Sequence, residues 1–370
     1  MRKIRLKKQT KFIDKTLFIL ALAFTGFGLV AVAAASAPIA VSTFSDKFYF
    51  VKQQAVWGVI GILLLVIFSR VHYSFWEKAA VPLFFISLAA LILVLIPGFG
   101  TRVLGARRWL ILGPISIQPS EYVKLALSIY LAKAVSKEKG LLAYFLPIGI
   151  AALLIMIQPD LGTTVVIVLI GFSQVFMAGV SILKLLAVSA VTTALGFLLI
   201  ITSEYRKSRL FTFLEQTQDP LGEGYHIRQV LLALGSGGLL GVGLGQSRQK
   251  YLFLPEAATD SIFAVIAEEA GFVGGSLLIV LFGYFIYRGL RIINNAPDRF
   301  SHILATGLVV WIGGQVFLNI GSMVALVPLT GIPLPFFSYG GSSLTSILVA
   351  TGILLNISRH VAKKKGKKRR

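Results

Sequence analysis

The chain has 370 residues, 56% of them hydrophobic and 14% charged, with 36 Lys and Arg against 15 Asp and Glu and a formal net charge of +21. Cysteine is absent, which excludes disulfides, a thiol nucleophile and a thiolate metal site. The four histidines (His72, His226, His302, His360) are too scattered for a zinc-type cluster. Apolar runs of about 18 or more residues recur, so the chain reads as spanning helices rather than a soluble core or the short alternating strands of a barrel.

Ten spans are expected, at roughly 16–37, 52–69, 78–96, 119–136, 141–158, 161–179, 183–202, 260–288, 302–327 and 342–358. The first follows a basic segment. Ala33-Ala34-Ala35-Ser36-Ala37 resembles a signal-peptidase site, but the apolar stretch is longer than a signal h-region, so a retained anchor is expected. Seven of the 36 basic residues lie in residues 1–15 and eight in 359–370, flanking helices as cytoplasmic anchors on acidic headgroups do. That distribution accounts for the net charge without a nucleic-acid partner. With the N-terminus inside, the inner segments hold 24 basic residues and the outer segments 11, and Lys124 completes the 36. An even span count puts both basic tails on the cytoplasmic side.

The outer face is then chemically rich. The loop at 97–118 contains Arg107-Arg108-Trp109, which suits an interfacial helix with Trp at headgroup level and guanidinium groups toward phosphate. Pro119-Ser120-Glu121 reads as a helix start, and Glu121 and Lys124, three apart on one face, can pair. That pair either holds a cavity wall or neutralises an acid such as Glu268. Gln158-Pro159-Asp160-Leu161-Gly162-Thr163-Thr164 is a tight outer turn in which Asp160 bonds nearby amides, with headgroup contact as the second reading.

A long outer loop, about 203–259, carries Arg206, Arg209, Arg248 and Lys250. With Arg107 and Arg108 these are candidates for an anionic diphosphate or headgroup. The glycine-rich run 235–245 superficially resembles a nucleotide loop, but it lacks the strand–turn–helix context; a short re-entrant or interfacial helix packing closely is expected instead. Glu256, Asp260, Glu268 and Glu269 then cluster where the loop enters the eighth span. Each carboxylate costs about 2.5–3.5 kcal/mol at the centre of a spanning helix, so the cluster marks an outward-facing polar cavity. Asp260 is the candidate general base, with helix capping as the alternative. At about 100° per residue, Glu268 sits about 80° from Asp260 and can border the same cavity, while Glu269 points away. The Pro-rich turn 328–343, with Ser338 and Ser342, completes the outer face.

At these motifs (105–124, 158–164, 241–269 and 328–343) the chain resembles the SEDS family (shape, elongation, division and sporulation), the FtsW/RodA group, slightly closer to FtsW. The resemblance implies an all-α polytopic membrane fold of about ten helices in a single domain over residues 1–370. It also implies a peptidoglycan glycosyltransferase that polymerises lipid II at the outer face of the bacterial cytoplasmic membrane. The family's essential aspartate falls on Asp260 and its Glu–Lys pair on Glu121 and Lys124. Its common His-Thr-Asp-Phe pattern is here Ala258, Thr259, Asp260 and Ser261, which puts in doubt an imidazole beside the acid. The segment after Asn319-Ile320-Gly321 is also altered. The implied partners are a class B penicillin-binding protein and other divisome or elongasome membrane proteins.

No dense carboxylate cage is visible, so no metal ligand is assigned, while a divalent cation (Mg or Mn) assisting the diphosphate is left open. The competing readings are a lipid II flippase and a recruiting scaffold. A flippase needs a path to both faces, whereas the chemistry here concentrates outside; a scaffold leaves Asp260 unexplained beyond a cap.

Overall fold

Each of the ten expected spans falls on a helix. The computed structural model describes residues 13–103, 106–113, 115–201, 223–251 and 254–360. Their helices in chain order are α1 (Lys15–Phe44), α2 (Tyr49–Arg70), α3 (Ser74–Leu95), α4 (Pro119–Ser136), α5 (Leu141–Ile157), α6 (Leu161–Met177) and α7 (Ile182–Ile201). These are followed by α8 (Glu223–Ser236), α9 (Ile262–Asn294), α10 (Arg299–Met323) and α11 (Gly341–Arg359). Six of them (α1, α2, α3, α9, α10, α11) are long and apolar enough to cross a membrane on their own, so this is a multi-pass membrane protein. Helices α5 and α6 are 17 residues each, and α4 carries buried charge.

The helices divide by burial. In the most apolar window of α11, 94% of residues are buried, and in α10 78%, against 22% in α2. A helix apolar all round belongs in a bundle core, and α10 and α11 occupy it. Helices α1, α2, α3 and α9 turn Phe27, Val59, Ile86 and Val280 outward, as lipid-facing helices do. Helix α2 approaches α11 closely where a Cβ on Gly352 would lie 2.7 Å from the Leu65 carbonyl, small-residue packing of the kind helices use where lipid offers no hydrophobic drive.

The end of the bundle that carries Asp14 and Asp298 is pinned by capping and charge. Asp14 caps α1 by accepting from the Leu17 amide at 3.0 Å, and its other oxygen takes Arg288 of α9 at 2.6 Å. Asp298 and Ser301 form a capping box on α10, and the Tyr73 hydroxyl donates to Asp298 at 2.5 Å.

The all-α expectation needs one correction. Residues 97–118 do not hold an interfacial helix; they build a three-stranded antiparallel sheet, β1 (Gly100–Val103), β2 (Ala106–Leu112) and β3 (Ile115–Ile117), with Trp109 paired to Thr101 and Leu110 to Ile117. The segment Arg107-Arg108-Trp109-Leu110-Ile111-Leu112 has no apolar repeat at three and four residues, and glycines flank it at 105 and 113. Three short strands satisfy one another's backbone where no helical face could be buried.

Candidate active site at the Asp260 turn

Residues 254–261 form a tight turn ahead of α9. The Glu256 carbonyl accepts from the amides of Thr259 and Ser261, both at 3.1 Å, and the Glu256 carboxylate takes the Thr259 hydroxyl at 2.6 Å. Glu256 holds this turn at φ +51°, a left-handed conformation that costs a non-glycine residue about 1–3 kcal/mol. The N-cap of α9 is Ser261, and half-buried Asp260 lies one residue before it.

The turn is clamped from two sides. The Pro-rich segment lies along it, with Tyr339 N donating to the Ala258 carbonyl at 2.8 Å and Ser338 Oγ donating to the Thr259 carbonyl at 2.5 Å. Ser338 Oγ also accepts from Leu334 N at 2.7 Å. Gln54 of α2 grips the same segment at both ends of its amide, donating to the Ser338 carbonyl and accepting from Gly340 N, each at 3.1 Å. Burial pushes the Tyr339 phenol up to about 12, with Tyr49 adding to the shift, so its hydroxyl stays protonated and donates to Gln53 at 2.7 Å. From α10, Asn319 Nδ2 donates to the carbonyls of Asp260 and Ile332, both at 2.8 Å.

One helical turn before Asn319, Gln315 links this clamp to the predicted ion pair. Its Nε2 donates to the Pro333 carbonyl at 3.0 Å, while its Oε1 accepts from Lys124 Nζ at 3.0 Å and Trp311 Nε1 at 2.8 Å. Lys124 Nζ lies 2.7 Å from Glu121 Oε1, and both side chains are 1% exposed. Of the two readings, the pair therefore supports the wall of the site: Lys124 does not reach Glu268. Gln315 and Asn319 were missed in the sequence, although two polar side chains four apart in an apolar span are the signal that finds them.

Glu268 is the second correction. It does not share a cavity with Asp260; it is 1% exposed, with Oε2 accepting from Ser247 Oγ at 2.5 Å and Oε1 from Arg248 N at 2.9 Å. Glu269 pairs with Lys250 at 2.9 Å, both side chains 4% exposed. The cause is the glycine-rich run, which folds back against α9 instead of forming a second helix. At Gly271 (φ +69°) α9 breaks. Val242 N and Gly243 N donate to the carbonyls of Glu268 and Glu269, and Phe272 N and Val273 N donate to those of Gly238 and Leu239, at 2.8–3.1 Å. The loop thus replaces the hydrogen bonds that the break removes, as irregular backbone at membrane depth requires. A Cβ on Gly241 would lie 2.2 Å from the Glu269 carbonyl, so only glycine permits the approach.

The basic candidates separate accordingly. Lys250 is consumed by Glu269 and is 3% exposed, which removes it as a headgroup ligand. Arg108 directs its guanidinium at the carbonyls of Gln158 and Pro159, bracing the α5–α6 turn from β2. Arg107 is half-buried, 3.5 Å from the Leu95 carbonyl, and Arg248 is exposed. Arg206 and Arg209 lie outside the described residues. Asp160 does turn chemistry, capping α6 by accepting from Thr163 N and Thr163 Oγ1, both at 2.9 Å, at 5% exposure. Gln158 donates to the Leu91 carbonyl at 3.1 Å, and Ser342 accepts from Gln118 N at 3.0 Å, joining the start of α4 to α11. An imidazole does stand at the turn: His226 of α8 places Nε2 2.7 Å from Ser261 Oγ, which nothing in its local sequence signals. Among the described residues no three His, Asp or Glu side chains gather so as to hold a metal ion, and nothing below is routed through one.

Comparison with known proteins places this geometry. A family model described as a cell cycle protein, covering FtsW, RodA and SpoVE, matches residues 14–363. The chain is 44% identical over 356 residues to stage V sporulation protein E of Bacillus subtilis, covering 94% of this chain and 97% of that one. It is 39% identical over 353 residues to the probable peptidoglycan glycosyltransferase FtsW of Trichlorobacter lovleyi, covering 93% of each. Among solved structures, RodA of Thermus thermophilus aligns with a TM-score of 0.69 at 29% identity, over 95% of this chain and 98% of that one. A chain from a peptidoglycan synthase complex that coordinates polymerization and crosslinking aligns at 0.77 and 29% identity, over 94% and 98%.

Proposed function

The chain belongs to the FtsW/RodA/SpoVE family of cell cycle proteins, and from that premise we infer that it is a peptidoglycan glycosyltransferase that polymerises lipid II. The orientation that suits this is ten spans in one domain over residues 1–370, both termini cytoplasmic, in the bacterial cytoplasmic membrane, with the Asp260 turn on the outer face. One observation carries the choice of base. Glu121, Asp160, Glu268 and Glu269 are all buried, whereas Asp260 is half-buried on a turn fixed through its backbone.

Asp260 takes the proton of the acceptor sugar hydroxyl as its oxygen attacks the anomeric carbon. The bond from that carbon to the lipid diphosphate breaks with inversion, and the electron pair leaves on the diphosphate oxygen. The leaving group departs as an anion and needs cations rather than an acid. Arg248 and Arg107 are the described candidates on this side, and Arg206 and Arg209 complete the set from the outer loop. The partner that suits the product is a class B penicillin-binding protein, a transpeptidase that crosslinks the new strand, among other divisome or elongasome membrane proteins. This reading is supported by the likeness to the synthase complex.

The test is polymerisation of purified lipid II in liposomes, with and without the cognate transpeptidase. Asp260→Asn should lower the rate on the order of 10²–10⁴-fold without loss of fold. An active Asp260→Asn protein would sink the general-base assignment. No polymer from the unaltered protein, even with the partner, would move the reading to lipid transport.

A further inference from the structure

We propose that His226 is a positioning residue for the Asp260 turn, acting through a hydrogen bond that its Nε2–H donates to Ser261 Oγ; the proposal rests on the glycosyltransferase reading above. Ser261 is 0% exposed, and among the described residues its hydroxyl has two contacts: the Pro255 carbonyl at 3.0 Å and His226 Nε2 at 2.7 Å. A serine hydroxyl has one proton, and a carbonyl can only accept. Both contacts are satisfied only if Ser261 donates to Pro255 and the imidazole donates to Ser261. That fixes a proton on Nε2 of His226.

The two bonds form a relay from α8 through Ser261 to Pro255, and so close the 255–261 turn. Asp260 lies inside that closed loop. Ser338, Tyr339 and Asn319 fix the carbonyls of Thr259, Ala258 and Asp260, while His226 and Ser261 fix the end of the turn where it joins α9.

The test compares His226→Ala, His226→Gln, Ser261→Ala and the double variant His226→Ala/Ser261→Ala in the full-length protein with its transpeptidase. Displacing a reacting group by about 1 Å costs up to about 10²-fold, so His226→Ala should lower kcat by about 10–100-fold with KM changed less than about twofold. Glutamine places an amide N–H near the imidazole Nε2, so His226→Gln should keep kcat within about threefold. The double variant should be no worse than Ser261→Ala alone, since that variant already removes the His226 bond along with the Pro255 one. Full kcat in His226→Ala, no rescue by Gln, or additive losses would each overturn the proposal. Hydrogen exchange separates this outcome from failure of the enzymatic reading: His226→Ala should speed exchange at the Thr259 and Ser261 amides about tenfold and leave α11 unchanged. If the unaltered protein makes no polymer, unchanged exchange at those two amides still overturns the role of His226, and faster exchange supports it.

Discussion

The pairs Glu121–Lys124 and Glu269–Lys250 have the same chemistry and nearly the same length, 2.7 and 2.9 Å, with side chains 1% and 4% exposed. They are held in opposite ways. The first lies three residues apart on one face of α4, so the helix itself brings the partners together. The second joins a broken helix to a loop 19 residues earlier, and exists only because the glycine-rich run folds against α9. Buried charge left without its partner is strongly destabilising in either case, but only the second pair can be lost by disturbing backbone alone. The first also has a further task, since Lys124 passes its position to Gln315 and so to the Pro-rich clamp.

The largest effect should come from breaking the loop side. Gly271→Ala puts a Cβ 2.3 Å from Gly241 N at φ +69°, so strain and overpacking together should cost about 4 kcal/mol or more. Thermal unfolding in detergent measures it, and hydrogen exchange should rise over 237–273 while α4 stays protected; equal loosening of α4 would show that the two pairs form one unit. Lys124→Met comes next, at about 3–5 kcal/mol, because Glu121 is then buried unpaired in the bundle; Glu121→Gln/Lys124→Met should recover most of the loss in the same melt. Lys250→Met should cost less, about 2 kcal/mol, because the 247–250 loop can open to admit water to Glu269. A loss equal to that of Lys124→Met would break the comparison.

The smallest effect lies at the opposite end. His72 sits between Tyr73 and His360, and burial, with His360 second, holds its pKa below the ordinary 6.5, while Asp298 pulls the other way. A depressed histidine contributes no penalty above its unfolded pKa and loses stability as pH falls through the folded one. Stability should therefore decline slightly as pH drops below about 6.5, and His72→Gln should flatten that decline in a melting series. The group is mostly exposed, so the change is a small one in Tm.

Local pattern made much of this protein legible. Apolar runs located ten helices, because a helix closes its own backbone hydrogen bonds wherever its sequence is apolar for long enough. Pro119 and Glu121 marked the start of α4, and the spacing of Glu121 and Lys124 gave their pair. The Asp160 turn was legible for the same reason: its partners Thr163 N and Oγ1 are three residues away. What failed were the contacts with distant partners. The strands at 100–117 carry no helical period, yet only pairing across the segment makes them strands. Lys250 looked like an outer cation until Glu269 was placed beside it, and Glu268 looked like a cavity wall until Ser247 and Arg248 covered it.

By itself, then, the sequence determined the helices, the family resemblance and the identity of Asp260 as the acid to examine, since each depends on residues close together in the chain or on composition. The tertiary structure alone decided how that acid is presented. Asn319, Ser338, Tyr339 and His226 reach the turn from 35 or more residues away in the chain, and Lys250 is withdrawn from the surface by a glycine loop. Contacts of that kind follow from which backbones can approach closely enough to exchange hydrogen bonds, and that is settled only when the whole bundle packs.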